Sequence, residues 1–476
     1  MNLLRMFLFL LLTIYLLGQS IAYSQPEDEE CPDCPPKIEE PIKLGDMFVT
    51  AFHGGAVTIT PTRTIIDIEK FNKSGSVDRV EDILMHLTGI DVMRGSTGAD
   101  PQQMVMMRGF DDSRFTIAVD GRTITAPTAG ADTYVDWSSL TTGDIEKVEI
   151  IRGAASALYE NSQGGVINII TKKGGKRDTL IPKIILKSDY SSYDAYTGRI
   201  SMDGGMGRLG YFFNYGYKDS DGYLRNNSYN GNDYSSRLTW DLPTEGNLTL
   251  SAKGSDLNMG YPVVNDPFRS DYDSDYPRVD EDADMIRKYR NISYPGGDSY
   301  KKKRTSHLDL FFQQPINKTT LTLQLFQTQG DEDSYSYELQ ADGTLKQKYS
   351  GGEEREEKHW GGKIRYQLNL WENNALIIGY DQRRMEVKSM EDTWQMHAGY
   401  FEDTWGVTPK ISIISGLRYL YARELTYAYA DPGTSRKYRH KIKTRLFLPK
   451  STINYKFNPG TQVFVSVNRD YRIPGC

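Results

Sequence analysis

From about residue 180 onward, apolar side chains recur at every second position in one stretch after another. In TLTLQLF, Leu321, Leu323 and Leu325 fall on one face, with Thr322, Gln324 and Phe326 on the other. NLTLSAK sets Leu248, Leu250 and Ala252 against Thr249, Ser251 and Lys253, and ALIIGYD sets Leu376, Ile378 and Tyr380 against Ile377, Gly379 and Asp381. KISIISGLRYLY repeats the pattern, and TQVFVSVN sets Val463, Val465 and Val467 against Gln462, Phe464, Ser466 and Asn468. A period of two is the period of a strand. One apolar face and one face free to be polar is what a strand needs between lipid and a wet lumen. The connections also sort by length. Short ones, rich in Gly, Pro and Asn, fall at 204–207, 243–247, 315–319, 371–375, 407–410 and 457–460. Longer, tyrosine-rich and charged ones fall between them, at 219–233, 257–303, 331–352 and 427–437. A soluble sandwich alternates too, but it does not divide its loops so regularly. The pattern predicts an antiparallel transmembrane β-barrel, with about thirteen strands up to VNRDYRIP.

Other features agree. Mean hydropathy is negative, as expected when only alternate strand residues touch lipid. The first residues, MNLLRMFLFLLLTIYLLGQSIAYSQ, have Arg5 in a short basic region and an apolar run from Met6 to Leu17. Small residues at Ser20, Ala22 and Ser24 offer a cleavage site, so residues 1–24 read as a secretory signal peptide. No later segment approaches the ~18 consecutive apolar residues of a membrane helix. A net charge of −6 gives no case for a nucleic-acid partner. Residues 25–45 are an acidic, proline-rich linker holding Cys31 and Cys34 as CPDC. With no second ligand pair nearby, a local disulfide in an oxidising compartment is the expectation.

Between linker and strands lies a different kind of sequence. In SVDRVEDILMHLTG, Val80, Ile83, Leu84 and Leu87 share a helical face, with Asp78 placed to cap it and Gly89 to end it. MVMMRGF, RFTIAVDGR, DIEKVEIIRG and GGVINIITKK read as strands, with GAASALYE as a small-residue helix start in a βαβ-like unit. Polar, glycine-rich loops at 95–102 and 121–137 separate them. Nothing here pairs a nucleophile with a base, and no enzyme is expected.

VEDILMHLTGIDV, MMRGFDDSRFTIAVDGRTI and DIEKVEIIRGAASALYENSQGGVINIITKKG, in that order behind a signal peptide, resemble the plug domain of TonB-dependent outer-membrane receptors. YENSQGG departs from the family, which more often has glycine after the tyrosine. The resemblance implies a membrane β-barrel of about 22 strands occluded by a small N-terminal α/β plug domain. Residues 52–175 would be the plug and 176–476 a partial barrel. It also implies the outer membrane of a Gram-negative bacterium and a monomer set in outer-membrane lipid. Its function would be import of a metal chelate such as siderophore-iron, haem or cobalamin, energised by the periplasmic protein TonB. TonB adds a strand to a short extended box, for which Asp46, Met47, Phe48, Val49, Thr50 and Ala51 fit in composition and position. The plainer alternative is that the run is simply the plug's first strand, and Ala56–Arg63 is a second candidate. Arg108 in MMRGF and Arg152 in EIIRG match family arginines that pair with carboxylates on the barrel wall as a latch. Arg94, Gln102, Arg122 and Tyr134, on apical loops, are the candidate ligand contacts.

No cofactor is expected. The acidic loop 264–284 offers a calcium site at Asp271, Asp273 and Asp275, against the plainer reading of a solvated loop. The chain given stops at Gly475–Cys476, whereas NRDYRIP resembles a motif that family members carry well before their end. It therefore reads as a fragment or a truncated product, and a non-functional remnant stays open. A signal-transducing receptor would need an extra domain, for which the linker leaves no room.

Overall fold

In the computed structural model the described residues are 49–50, 56–59, 63–72, 77–93, 104–110, 114–124, 126–127, 133–134, 137–152, 157–159, 162–174, 181–260, 262–270, 272–280, 300–335, 337–339, 344–347, 353–371, 373–388, 392–429, 437–458 and 461–470. The signal peptide and the whole linker, with both of its cysteines, lie outside them.

The β-branched runs of the N-terminal region form short strands: β1 (Val49–Thr50), β2 (Val57–Ile59), β3 (Arg63–Asp67), β4 (Ile90–Met93), β5 (Met104–Met107), β6 (Thr116–Val119), β7 (Arg122–Thr123), β8 (Ala126–Pro127), β9 (Thr133–Tyr134), β10 (Ile145–Arg152) and β11 (Gly165–Thr171). Seven make one sheet in the order β1-β2-β3-β10-β11-β6-β7, while β4 with β5 and β8 with β9 are separate ribbons. Two short helices, α1 (Ile68–Phe71) and α2 (Val80–Leu84), accompany the sheet. Val80, Ile83 and Leu84 of α2 pack with Ile66, Phe115, Ile117, Trp137, Ile145, Val148 and Ile167 in one buried cluster. β11 is buried on both faces, which is why GGVINIIT is a nearly continuous apolar run rather than an alternating one; its interior polar residue, Asn168, accepts from the Gly121 N–H at 3.0 Å.

Two local expectations are corrected. α2 ends at Leu84, and no side chain caps it; Asp78, the expected cap, is drawn instead to an arginine on the wall, described below. GAASALYE does not cross between parallel strands. β10 and β11 pair directly and antiparallel, Ile151 opposite Val166, and the parallel neighbour of β11 is β6. Within GAASALYE the described residues, Ala157–Tyr159, form a turn and bend rather than a helix, and all three are buried.

The alternating region forms the expected strands: β12 (Lys183–Ser191), β13 (Ala195–Met206), β14 (Leu209–Ser220), β15 (Tyr229–Asp241), β16 (Asn247–Gly260), β17 (Tyr300–Ile316), β18 (Thr319–Tyr335), then a ribbon of β19 (Tyr337–Leu339) and β20 (Leu345–Gln347), and β21 (Glu353–Leu368), β22 (Asn374–Val387), β23 (Asp392–Thr408), β24 (Ile411–Tyr429), β25 (Lys437–Asn458) and β26 (Thr461–Asn468). Apart from the ribbon, all thirteen are hydrogen-bonded in chain order in one antiparallel sheet, with β12 and β26 as its edges. The strands run further into the long loops than expected. Cross-strand charge pairs such as Arg304 opposite Asp331 and Lys302 opposite Asp333 continue the ladder past its apolar part. Outward positions carry Tyr234, Trp240, Ile378, Phe401, Trp405, Phe447 and Ile453, all exposed, while the alternate positions face the plug. Contacts to the plug come from strands β13 round to β25, so the sheet curls about it.

Candidate functional site

The plug sits against the inner face of the wall through ionic and hydrogen-bonded contacts, and tight turns build much of that surface. β6 and β7 are joined by Asp120–Gly121, with φ 49° and 77° and Val119 opposite Arg122. This is the two-residue Asp-Gly hairpin loop that needs left-handed backbone at both positions. The turn aims Asp120 and Arg122 at the wall. Asp120 Oδ2 lies 2.7 Å from Arg237 Nη1 on β15 and accepts from Thr171 Oγ1 at 2.7 Å, and Arg237 also contacts Thr171 Oγ1. The Gly121 carbonyl accepts from Lys363 Nζ on β21 at 3.0 Å.

Arg122, expected to touch ligand, is committed to the wall. Its guanidinium lies 2.9 Å from Asp309 Oδ1, donates to Thr328 Oγ1 at 2.8 Å, lies 3.3 Å from His307 Nδ1, and stands 5.2 Å from the centre of the Phe326 ring. This is the latch geometry expected of Arg108 and Arg152, found at another arginine. Arg108 is exposed: with Gly109 it forms the left-handed centre of the Met107–Phe110 turn, at φ 55° and 80°. Arg152 pairs through its backbone with Gly165, and its side chain lies outside the described residues. Arg94 and Gln102 also lie outside them. Tyr134 is described only as a strand residue opposite Ala126.

Elsewhere the polarity of the latch is the reverse of that expected, with carboxylate on the plug and cation on the wall. Arg199 of β13 is buried, grips Asp233 of β15 at 2.8 Å through both terminal nitrogens, and reaches the plug's Asp78 at 2.8 Å. Lys253 of β16 meets Asp144 at 3.1 Å. Gly143, beside Asp144, leaves no room for a side chain, since a Cβ there would stand 2.6 Å from Arg199 Nη1.

The GAASALYE turn is held through its backbone. Ala157 N donates to Glu402 Oε2 at 2.6 Å, and Arg418 Nη1 donates to the Ala157 carbonyl at 3.4 Å. Leu158 and Tyr159 pack with Ile151, Val166 and the wall's Tyr400. These contacts take up groups that a helix would have used internally. At the far side Lys450 Nζ donates to Ser162 Oγ at 2.9 Å, and Ser162 Oγ donates to Asp470 Oδ2 at 2.9 Å. Thus the departing YENSQGG segment and the NRDYRIP motif meet.

One buried plug carboxyl responds to pH. Glu81 of α2 is fully buried, with Oε1 3.3 Å from Arg79 Nη1. Burial pushes its carboxyl up to about 7; Arg79 and Lys218 oppose the rise and Asp82 adds to it. A folded pKa raised above the unfolded value contributes stability that is full below the unfolded pKa and lost as pH rises through the folded one. The plug should therefore be less stable at pH 8 than at pH 5, by no more than ~3 kcal/mol from this group. Glu81→Gln should flatten the unfolding midpoint over that window; an unchanged slope would remove Glu81 as its source.

Of the candidate calcium ligands only Asp273 and Asp275 are described. Asp273 Oδ1 accepts from the backbone N–H of Asp275 at 3.0 Å, Asp280 pairs with Arg278 at 2.6 Å, and Asp271 lies outside the described residues. Among the described residues no three metal-ligating side chains converge. Of the candidate TonB box only Val49 and Thr50 are described; they pair with Ile59 and Thr58 as the plug sheet's edge strand. The second candidate supplies that partner strand, β2, and its residues 60–62 lie outside the described residues.

Comparison with known proteins agrees with this geometry. Residues 56–166 match the family model for the TonB-dependent Receptor Plug Domain. The ferric enterobactin receptor PirA of Pseudomonas aeruginosa is 26% identical over 195 residues, covering 39% of this chain and 26% of the relative. The chain thus spans about a quarter of the length of that curated relative. Among solved structures, the ferric yersiniabactin uptake receptor FyuA of Yersinia pestis superposes with a TM-score of 0.63 at 16% identity, over 85% of this chain and 63% of FyuA. The ferric-catecholate import receptor Fiu of E. coli K12 gives 0.65 at 13% identity, over 90% of this chain and 73% of Fiu. Residues 56–166 thus match the plug domain of TonB-dependent receptors, and the plug with its surrounding sheet of antiparallel strands shares its fold with receptors of that kind.

Proposed function

We propose that the protein acts in the outer membrane of a Gram-negative bacterium as a TonB-dependent receptor importing a scarce metal chelate, with an iron-siderophore as the leading class. The observation that carries this reading is the seat of the plug. An occluding domain held by a dispersed set of ion pairs, at Asp78, Asp120, Arg122 and Asp144, can be shifted without unfolding the wall, and a passive pore has no use for it. The relatives that support the ligand class are named for ferric enterobactin, ferric yersiniabactin and ferric catecholates. TonB would pull on an N-terminal box by strand addition. In this state Val49 and Thr50 are already paired to β2, so docking there would first peel an edge strand from the plug.

The test is uptake of iron-55 carried by a panel of siderophores into cells expressing the full-length gene, with and without TonB. Val49→Pro, which removes a strand donor, should abolish uptake while leaving ferric-siderophore binding to whole cells intact. Uptake unchanged by Val49→Pro would move the box elsewhere. Uptake independent of TonB would overturn the transport mechanism.

A further inference from the structure

The outward face of β22–β25 carries a feature that neither plug nor lumen uses. The strand register stacks its outward residues in rungs. Tyr380, Gly399, Tyr419 and Phe447 make one rung, and Gln382, His397, Tyr421 and Arg445 the next toward the long loops. Arg384, Gln395, Arg423 and Lys443 make the third. The first is an aromatic belt, of the kind that marks the edge of the hydrocarbon layer, and Gly399 interrupts it. A Cβ at Gly399 would have nothing within 4 Å. The gap opens a groove of about 620 Å3, lined by Leu376, Ile378, Phe401, Leu417 and Tyr419 and running from the belt into the apolar band.

Directly above the groove stands a charge imbalance. Lys443 and Arg445 are exposed, and neither they nor Arg423 have an ion-pair partner among the described residues; Arg445 lies 5.9 Å from the centre of the Tyr421 ring. No carboxylate occupies an outward position in these two rungs. Other outward cations are paired. Outward cations on β17 face carboxylates on β18, and Arg384 is held by Glu386 at 2.7 Å. An apolar slot at membrane depth beneath three cations at headgroup depth matches a molecule with a hydrocarbon tail and an anionic head. Guanidinium groups favour phosphate among such heads.

We propose that this face binds a phosphorylated lipid of the outer leaflet, with an acyl chain in the groove at Gly399 and a phosphate on Arg423, Lys443 and Arg445. The proposal rests on the outer-membrane placement proposed above, with the long loops on the outside, and does not rest on the import of any ligand.

The full chain, folded in detergent, would be titrated with bisphosphorylated lipid A and its bound states counted by native mass spectrometry. Gly399→Leu, which fills the groove from an unstrained position, and the triple change Arg423→Gln/Lys443→Gln/Arg445→Gln should each weaken retention by about tenfold. Lipid A stripped of its phosphates should bind the unaltered protein as weakly as the intact lipid binds the triple variant. Heat-modifiable gel mobility checks that both variants keep the folded sheet; because they alter opposite ends of the site, loss of one leaves the other as the test. Equal retention of phosphate-free lipid, or full retention by both folded variants, would overturn the proposal. Release of lipid by millimolar inorganic phosphate, with no effect of Gly399→Leu, would assign the cations to free anions and overturn it as well.

Discussion

Replacing Arg199 with methionine should lower the unfolding free energy of the plug by about 3–5 kcal/mol, the cost of stranding a buried carboxylate. Among the described residues Arg199 is the one cation that grips a wall carboxylate through both nitrogens and a plug carboxylate besides. Its removal leaves Asp233, whose side chain is 6% exposed, without its counter-charge inside the wall. Asp78→Asn is the informative companion. It breaks only the plug arm, keeps the Arg199–Asp233 pair, and should cost about 1.5–3 kcal/mol, the range of a hydrogen bond to a charged group. A double-mutant cycle between positions 78 and 199, read from urea unfolding in detergent, should give a coupling of 0.5–3 kcal/mol. A cost under ~1 kcal/mol for Arg199→Met would place this pair among ornamental surface bridges and remove it from the latch.

Trp137→Ala should destabilise the plug by a similar amount, about 3–5 kcal/mol, but from its core. Trp137 is fully buried at the start of the short turn Trp137–Ser139 and packs in the main plug cluster. The segment that follows is tied back to the helix entrance. Val80 N donates to the Leu140 carbonyl at 3.2 Å, and Thr142 N to the Asp78 carbonyl at 2.8 Å. The same few residues therefore seat Trp137 inside and present Asp78 and Asp144 outside. A void at Trp137 should loosen both pairings, so the 78–199 coupling should shrink in the Trp137→Ala background, whereas Trp137→Phe should keep most of it. A coupling equal in both backgrounds would show that core and latch are energetically separate. Protease sensitivity of the plug against a resistant wall would locate the loss.

The alternation of residues such as Leu321–Phe326 and Leu248–Lys253 determined the strands, their antiparallel order and which face is wet, because a one-residue slip would turn every side chain to the wrong medium. It also held the wall side of the site. Arg199, Arg237, Lys253 and Arg418 are cations at inward positions of alternating strands, and Lys253 was legible as such from its own heptapeptide. What those cations meet was not legible. Asp78 reads locally as a helix cap and Asp120–Gly121 as a hairpin turn; the turn reading is true, and only the wall makes Asp120 half of an ion pair. Arg108 and Arg122 differ even less in sequence, each a basic residue beside a glycine turn, yet one is exposed and the other sits among Asp309, Thr328 and His307. Local sequence encodes backbone geometry through short-range sterics and hydrogen bonds. Which side chain finds an opposite charge depends on a surface contributed from more than a hundred residues away, and only the curled sheet brings that surface within reach.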